Sequence, residues 1–331
     1  MKIIRLLSMA VVASLLVATF GCVNPEGSPQ TQHGIDLYVQ AVAAYHNGDR
    51  AVAISKLNEA TKSDPNLRMA RSLLGDLYRD QGKYSDAVPQ YEALARLDPY
   101  GASNQYRLGL TYQWISRLQD AAAAYLKALE LNPRDAQSST NLGLVYMALG
   151  KMDDSLKYVK KATELNPRSA AAWSNYGVVL DAMGKAADAE VAYRKSLELN
   201  RGQDAILVNL GANLTRQKKS AEAINVMSEA VKRFDNAVTH KLYGDAFASA
   251  DRFDDAMAEY DIALKKDPRY YPAMNEKATV LINQYRKGME LDDQKKTTAL
   301  NLWKQSLALN PQQPRIQATL NDWSQQRLFA K

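Results

Sequence analysis

Apolar residues recur along this chain at helical spacing, in short runs that stop and restart. Between Ala102 and Asp135, Leu108, Gly109 and Tyr112 share one face of a helix. Ala121, Tyr125 and Ala128 share a face of a second helix. Asn132-Pro133 closes the second helix, because the residue before a proline is steered away from helical torsions. A short turn lies between the two helices. Gly48, Gly82, Gly150 and Gly184 fall in that turn in register, as a helix C-terminal cap requires.

The helix–turn–helix unit repeats. Pro65, Pro99, Pro133 and Pro167 are each 34 residues apart, as are Gly75, Gly109, Gly143, Gly177 and Gly211. Ala53, Ala87, Ala121, Ser155, Ala189 and Ala223 keep the same period. A glycine inside a helix costs about 1 kcal/mol relative to alanine. Its recurrence predicts a close approach where no side chain fits, and the small residue of the second helix has the same explanation. These positions resemble the tetratricopeptide repeat family, whose period is 34. The family pattern W-x2-L-G-x2-Y is seen best at Trp173, Tyr176, Gly177 and Leu180. The resemblance covers nearly all of the chain after its leader. It implies an all-α fold, a right-handed α-solenoid of about eight helix pairs plus a C-terminal capping helix.

Units are expected near 34–67, 68–101, 102–135, 136–169, 170–203, 204–236, 237–270 and 271–312, within a solenoid spanning 34–312. One residue is missing before Gly244, Ala41 replaces glycine in the first unit, and Arg201 and Asp235 replace proline. In the eighth unit a longer loop is expected from Lys287 to Gln294, and the closing Pro311 comes late. Within 313–331, Ile316, Leu320 and Trp323 share one face of the capping helix, opposite polar residues.

Composition changes this picture little. The chain has 331 residues, 46% of them hydrophobic, and a formal net charge of +6. Without Lys2 and Arg5 of the leader the charge is +4, and no block of like charges argues for nucleic acid. One cysteine, Cys22, excludes an internal disulfide framework, and the three histidines, His33, His46 and His240, read as surface or groove residues. No nucleophile elbow, phosphate loop, metal helix or dinucleotide turn is present. The reading is of a protein that is not an enzyme and needs no cofactor or metal. Most of the eighteen tyrosines occupy recurring packing positions, and the acid pairs Asp153-Asp154 and Asp254-Asp255 suit helix N-termini.

The leader carries information of its own. Lys2 and Arg5 precede an apolar run from Leu6 to Phe20, which at ~1.5 Å per residue is too short to span a bilayer comfortably. This predicts a signal peptide over 1–21. Gly21-Cys22 at its end resembles a bacterial lipobox, although Thr19 and Phe20 depart from the usual upstream residues. The resemblance implies lipidation of Cys22, with Val23 in place of aspartate pointing to the outer membrane facing the periplasm. The alternative is a plain signal peptide with an incidental cysteine. Residues 22–33, with two prolines and a glycine, read as a short lipidated tether.

One group of residues exceeds what packing needs. Asn141, Asn175 and Asn209 stand 34 apart, each two residues before the recurring glycine. They resemble the asparagine ladder in the repeat arm of O-linked N-acetylglucosamine transferases, which implies amides lining a concave groove and pairing with a peptide backbone. The alternative is that they are tolerated polar groove residues. Tyr106, Arg107 and Trp114 supply aromatic and arginine character to the same face of the third unit. Leu73 and Leu242 stand where a chaperone-type carboxylate clamp would want polar residues. The expected function is a protein-binding scaffold or adaptor tethered to the bacterial envelope. By resemblance to pilus-assembly lipoproteins, it would serve a pilus or secretion machine. The alternative is a regulatory or substrate-recruiting subunit for a separate enzyme, such as a glycosyltransferase or cell-wall hydrolase, and fold alone does not separate the two.

Overall fold

The computed structural model describes residues 29–200, 202, 204–287 and 292–325. Among these the chain is helical throughout, with 17 helices and tight connections. It divides after Pro133 into two compact units. The first unit holds α1 (Pro29–His46), α2 (Arg50–Ser63), α3 (Arg68–Asp80), α4 (Tyr84–Leu97), α5 (Ala102–Trp114) and α6 (Leu118–Leu131). The second unit begins with α7 (Ala136–Ala148), α8 (Met152–Leu165), α9 (Ala170–Ala182), α10 (Ala186–Leu199), α11 (Asp204–Arg216) and α12 (Ser220–Arg233). It continues with α13 (Ala237–Ser249), α14 (Phe253–Lys266), α15 (Tyr271–Lys287), α16 (Asp293–Leu309) and α17 (Pro314–Gln325).

The expected turn glycines close the first helices. Gly48, Gly82, Gly150 and Gly184 have φ between 71° and 87°, the left-handed region that glycine enters without steric cost. The amide of Lys83 reaches back to the Tyr78 carbonyl at 2.8 Å, the bond that seals a left-handed helix end. Ser116, Lys218 and Asp251 adopt the same conformation in turns that lack glycine.

The recurring helical glycine has a specific partner. It lies over the residue sixteen positions later, on the second helix of its own pair. A Cβ built on Gly109 would stand 2.9 Å from the ring of Tyr125, and one on Gly177 would stand 2.7 Å from the ring of Tyr193. Gly75 meets Tyr91 and Gly244 meets Tyr260 in the same way. These four tyrosines are the largest fully buried side chains of the described residues. The small residue that follows in each second helix is also sealed: Ala53, Ala87, Ala121, Ser155, Ala189, Ala223 and Ala256 are fully buried.

In each unit the helices of a pair pack together, and each second helix packs on the first helix of the next pair. In the second unit the first helices also approach one another, α7 with α9, α9 with α11, α11 with α13 and α13 with α15. No two second helices approach as closely. The first helices therefore line the inner side of that stack.

Two boundaries differ from the sequence reading among the described residues. Helix α1 starts at Pro29, inside the segment read as a tether, because Gly34 and Leu37 pack against the first pair. In the eighth unit α15 ends at Lys287 and α16 starts at Asp293, each 17 residues long. Of the segment read as a loop, Asp293 and Gln294 therefore belong to α16, while 288–291 lie outside the described residues. Asp292 caps α16 through the Lys295 amide. The expected capping helix is present as α17 over Pro314–Gln325, with Leu320 and Trp323 buried against Tyr285 and Trp303 and Ile316 beside them, and 326–331 lie outside the described residues. The signal peptide at 1–21 and the lipidation site Cys22 lie outside the described residues.

Candidate binding surface on the first helices

The asparagines fall on the inner helices of the second unit, Asn141 on α7, Asn175 on α9 and Asn209 on α11, and all three are half-buried. Asn175 and Asn209 each edge a shallow depression. The first, about 380 Å³, lies in the furrow between α9 and α11 and is lined by Ala171, Ser174, Asn175, Gly202, Ala205, Ile206 and Phe234. The second, about 470 Å³, lies in the next furrow and is lined by Ala205, Val208, Asn209, Phe234, Asn236, Ala237, Val238 and Thr239. They share Ala205 and Phe234, so they adjoin, one on each side of α11. Asn236 is occupied, since its side chain caps α13 through the Thr239 amide at 3.0 Å. Among the described residues the amides of Asn175 and Asn209 have no hydrogen-bond partner. Each can offer a donor and an acceptor to a backbone laid across the two depressions.

The aromatic and basic residues proposed for the third unit do not join into one patch. Arg107 is already engaged, with Nη1 at 3.0 Å from Ser72 Oγ and 3.1 Å from Asp76 Oδ2. Asp76 also accepts the phenol of Tyr91 at 2.7 Å and pairs with Arg79 at 3.0 Å. Burial, and then the Asp76 carboxylate, hold the Tyr91 phenol well above its ordinary pKa. Arg107 is thus a strut between two helix pairs rather than a free anchor. Tyr106 is half-buried, its ring tilted against Tyr125 at 5.9 Å. Trp114 lies about 12 Å further along the same helix. It is 60% exposed and stacks on Tyr84 at 5.2 Å, beside the interhelical turn.

His240 also departs from expectation. It is buried, with Nδ1 at 2.6 Å from Glu259 and Nε2 at 2.7 Å from Asp235, so it is an internal bridge and not a surface or groove residue. Sequence reading missed it because Glu259, nineteen residues on, is brought beside it only by the pairing of α13 with α14. Lys241 beside it is drawn into the interior. Burial alone would lower its pKa, but Asp245 and Glu276 outweigh this and raise it. Among the described residues no group of His, Cys, Asp and Glu could hold a metal ion, and no helix is long and apolar enough to cross a membrane.

Tetratricopeptide-repeat family models match residues 38–102 and 208–278, 134–202, and 116–150, together more than half of the chain. The chain is a tetratricopeptide repeat protein. Among solved structures, this repeat protein is similar to a tetratricopeptide repeat protein from Parabacteroides merdae, with 18% identity and a TM-score of 0.56 over 71% of this chain and 94% of that one. It is similar to the APC/C hetero-tetramer Cut9-Hcn1, with 15% identity and a TM-score of 0.60 over 87% of this chain and 55% of that one. It also aligns with MamA at 28% identity, over 49% of this chain and 94% of MamA, with a TM-score of 0.47. A comparison with curated proteins finds no match. The likeness to the Parabacteroides merdae and Cut9-Hcn1 structures extends to the fold, an all-α helical repeat solenoid. Such repeats support a protein-interaction scaffold, with proteins or peptides as partners.

Proposed function

We propose that this tetratricopeptide repeat protein binds an extended peptide of a partner along the first helices of its second unit. In this reading it is a non-catalytic scaffold held to a bacterial envelope membrane through lipidated Cys22. One observation carries the binding reading: the unpartnered amides of Asn175 and Asn209 each edge one of two adjoining depressions. A backbone lying there would find paired donors and acceptors at a spacing of one repeat. The envelope reading rests on the leader, with its basic start, short apolar run and Gly21-Cys22 end. The process served would be the assembly of an envelope machine such as a pilus or secretion apparatus.

Two measurements test these parts separately. Calorimetric titration of a partner peptide should show weaker binding to Asn141→Ala/Asn175→Ala/Asn209→Ala, with an unchanged circular dichroism spectrum. Equal affinity would remove the groove reading. Metabolic labelling with a palmitate analogue should mark the wild type and not Cys22→Ala; equal labelling would remove the anchor. Pull-down from membranes then separates an assembly scaffold, which retains secretin or pilus subunits, from an enzyme recruiter, which retains a transferase or hydrolase.

A further inference from the structure

The connection between α12 and α13 is fastened by a side chain that titrates. In two other pairs the fourth residue of the unit reaches back to the carbonyl of the closing proline. Arg71 Nε donates to Pro65 at 2.5 Å, and Trp173 Nε1 donates to Pro167 at 2.9 Å. A guanidinium and an indole keep those hydrogens at any ordinary pH. His240 holds the same position in its own unit, and the connection before it is one residue shorter, with Asp235 in place of proline. The buried ring has Nε2 at 2.7 Å from the Asp235 carboxylate and Nδ1 at 2.6 Å from Glu259 of α14. Lys266, also of α14, reaches Asp235 at 2.6 Å. With both carboxylates ionised, the two ring bonds exist together only while both nitrogens carry hydrogen, in the imidazolium.

A neutral ring has one hydrogen, and the surroundings decide which nitrogen keeps it. Glu259 is mostly buried and has no other hydrogen-bond donor among the described residues. Asp235 is exposed, and it retains Lys266 and water. Stranding the buried carboxylate costs more than releasing the exposed one, so the hydrogen stays on Nδ1. Nε2 then turns a lone pair toward the Asp235 oxygen, and two acceptors at that distance repel. Hydrogen bonds from Lys266 and then His240 hold the Asp235 carboxyl below its ordinary pKa, so it stays ionised while the ring changes form. The other charges on the helices around α13 have partners of their own. Lys241 of α13 faces Asp245 and Glu276 of α15, Arg233 of α12 pairs with Glu229, and Arg216 of α11 pairs with Asp181. We infer that His240 is a proton-operated latch: the imidazolium ties the α12–α13 connection to α14, and the neutral ring lets it go. Asp235 lies between Phe234 and Asn236, both of which line the second depression, so its release moves that wall. The latch belongs to the fold, and only its effect on a ligand rests on the groove reading above.

The test is nuclear magnetic resonance on the full chain in detergent micelles, without ligand, carrying nitrogen-labelled histidine and a fluorine label on the ring of Phe234. The titration runs from about pH 5.5 to 9, above the ordinary carboxylate range and below that of lysine. Nitrogen shifts report the ring form of His240, whose signals are assigned by their loss in His240→Gln. The ring should pass from the imidazolium to the tautomer with hydrogen on Nδ1. The fluorine signal of Phe234 should shift with the same midpoint. In His240→Gln the fluorine signal should stay constant over the range. Asp235→Asn can pair with either ring form by turning its amide, so it should leave the ring titrating and abolish the fluorine response. A ring that keeps one form throughout, a neutral form with hydrogen on Nε2, or a fluorine response that is absent in the wild type or survives in either variant overturns the inference. No peptide enters this experiment, so the groove reading stands or falls separately, on the asparagine variants.

Discussion

Tyr193 donates its phenol to Asp181 across 3.1 Å, and the same carboxylate fastens the next helix pair to this one. Asn213 of α11 donates to Asp181 at 2.6 Å and Arg216 at 2.6 Å. Asn213 is fully buried, so losing the carboxylate strands a donor away from water. Asp181→Ala should therefore cost about 2–3 kcal/mol, against about 1 kcal/mol for Tyr193→Phe, which removes a single bond. Urea denaturation followed by circular dichroism measures both. Equal losses would show that Asp181 serves Tyr193 alone.

The contrast between these residues explains what the sequence made legible. Gly177 and Tyr193 repeat in phase because the glycine–ring contact is internal to each pair and recurs unchanged. The hydroxyl's acceptor does not repeat. It is Asp76 or Asp245 one residue after the glycine, and Gln113 or Asp181 four residues after it. One helical face offers both positions, so periodicity alone cannot choose. Arg107 misled for a related reason. It occupies the ladder position, but its partners Ser72 and Asp76 lie on the preceding pair. Phe234 showed only as a missing proline signal nearby. That its ring lines two depressions depends on where the α12–α13 connection runs.

The glycine–ring contact itself predicts the outcome of Gly177→Ala. Alanine gains about 1 kcal/mol in helix propensity. Its methyl would sit 2.7 Å from Tyr193, a fully buried ring whose hydroxyl is held by Asp181, so the ring has little room to retreat. Overpacking of this kind costs about 1–3 kcal/mol, so a net loss of about 1 kcal/mol is expected. The first pair contains the compatible combination, Ala41 with Leu57, both fully buried. Adding Tyr193→Leu to Gly177→Ala should therefore recover stability relative to the sum of the single changes. A double-mutant cycle on the denaturation midpoints reads this coupling, and strict additivity would refute the contact as the cause.

Ser155 is the one departure in a column otherwise filled by alanine. It is fully buried, and its hydroxyl has no hydrogen-bond partner. A stranded hydroxyl carries its desolvation cost without return, whereas the alanine methyl already fits this position in the other pairs. Ser155→Ala should raise stability by about 1 kcal/mol, visible as a higher urea midpoint with an unchanged slope. A lower midpoint would mean that the hydroxyl is satisfied in solution.

Glu190 gives the second unit a measurable response to acid. Burial by itself would raise its pKa, but hydrogen bonds from Lys219 at 2.7 Å, Arg194 at 2.9 Å and Gln217 at 2.9 Å outweigh it, and the net shift is downward from 4.5. A carboxyl group with a lowered folded value supplies stability above its ordinary pKa. It loses that stability as pH falls through the lowered value. Glu190→Gln keeps the shape and removes the titration. The variant should be less stable than wild type at pH 7, and the gap should close steadily below pH 4.5. Urea midpoints at pH 7, 4.5 and 3 follow this convergence. Parallel curves across that range would show that the three donors stabilise the neutral side chain as well as the carboxylate.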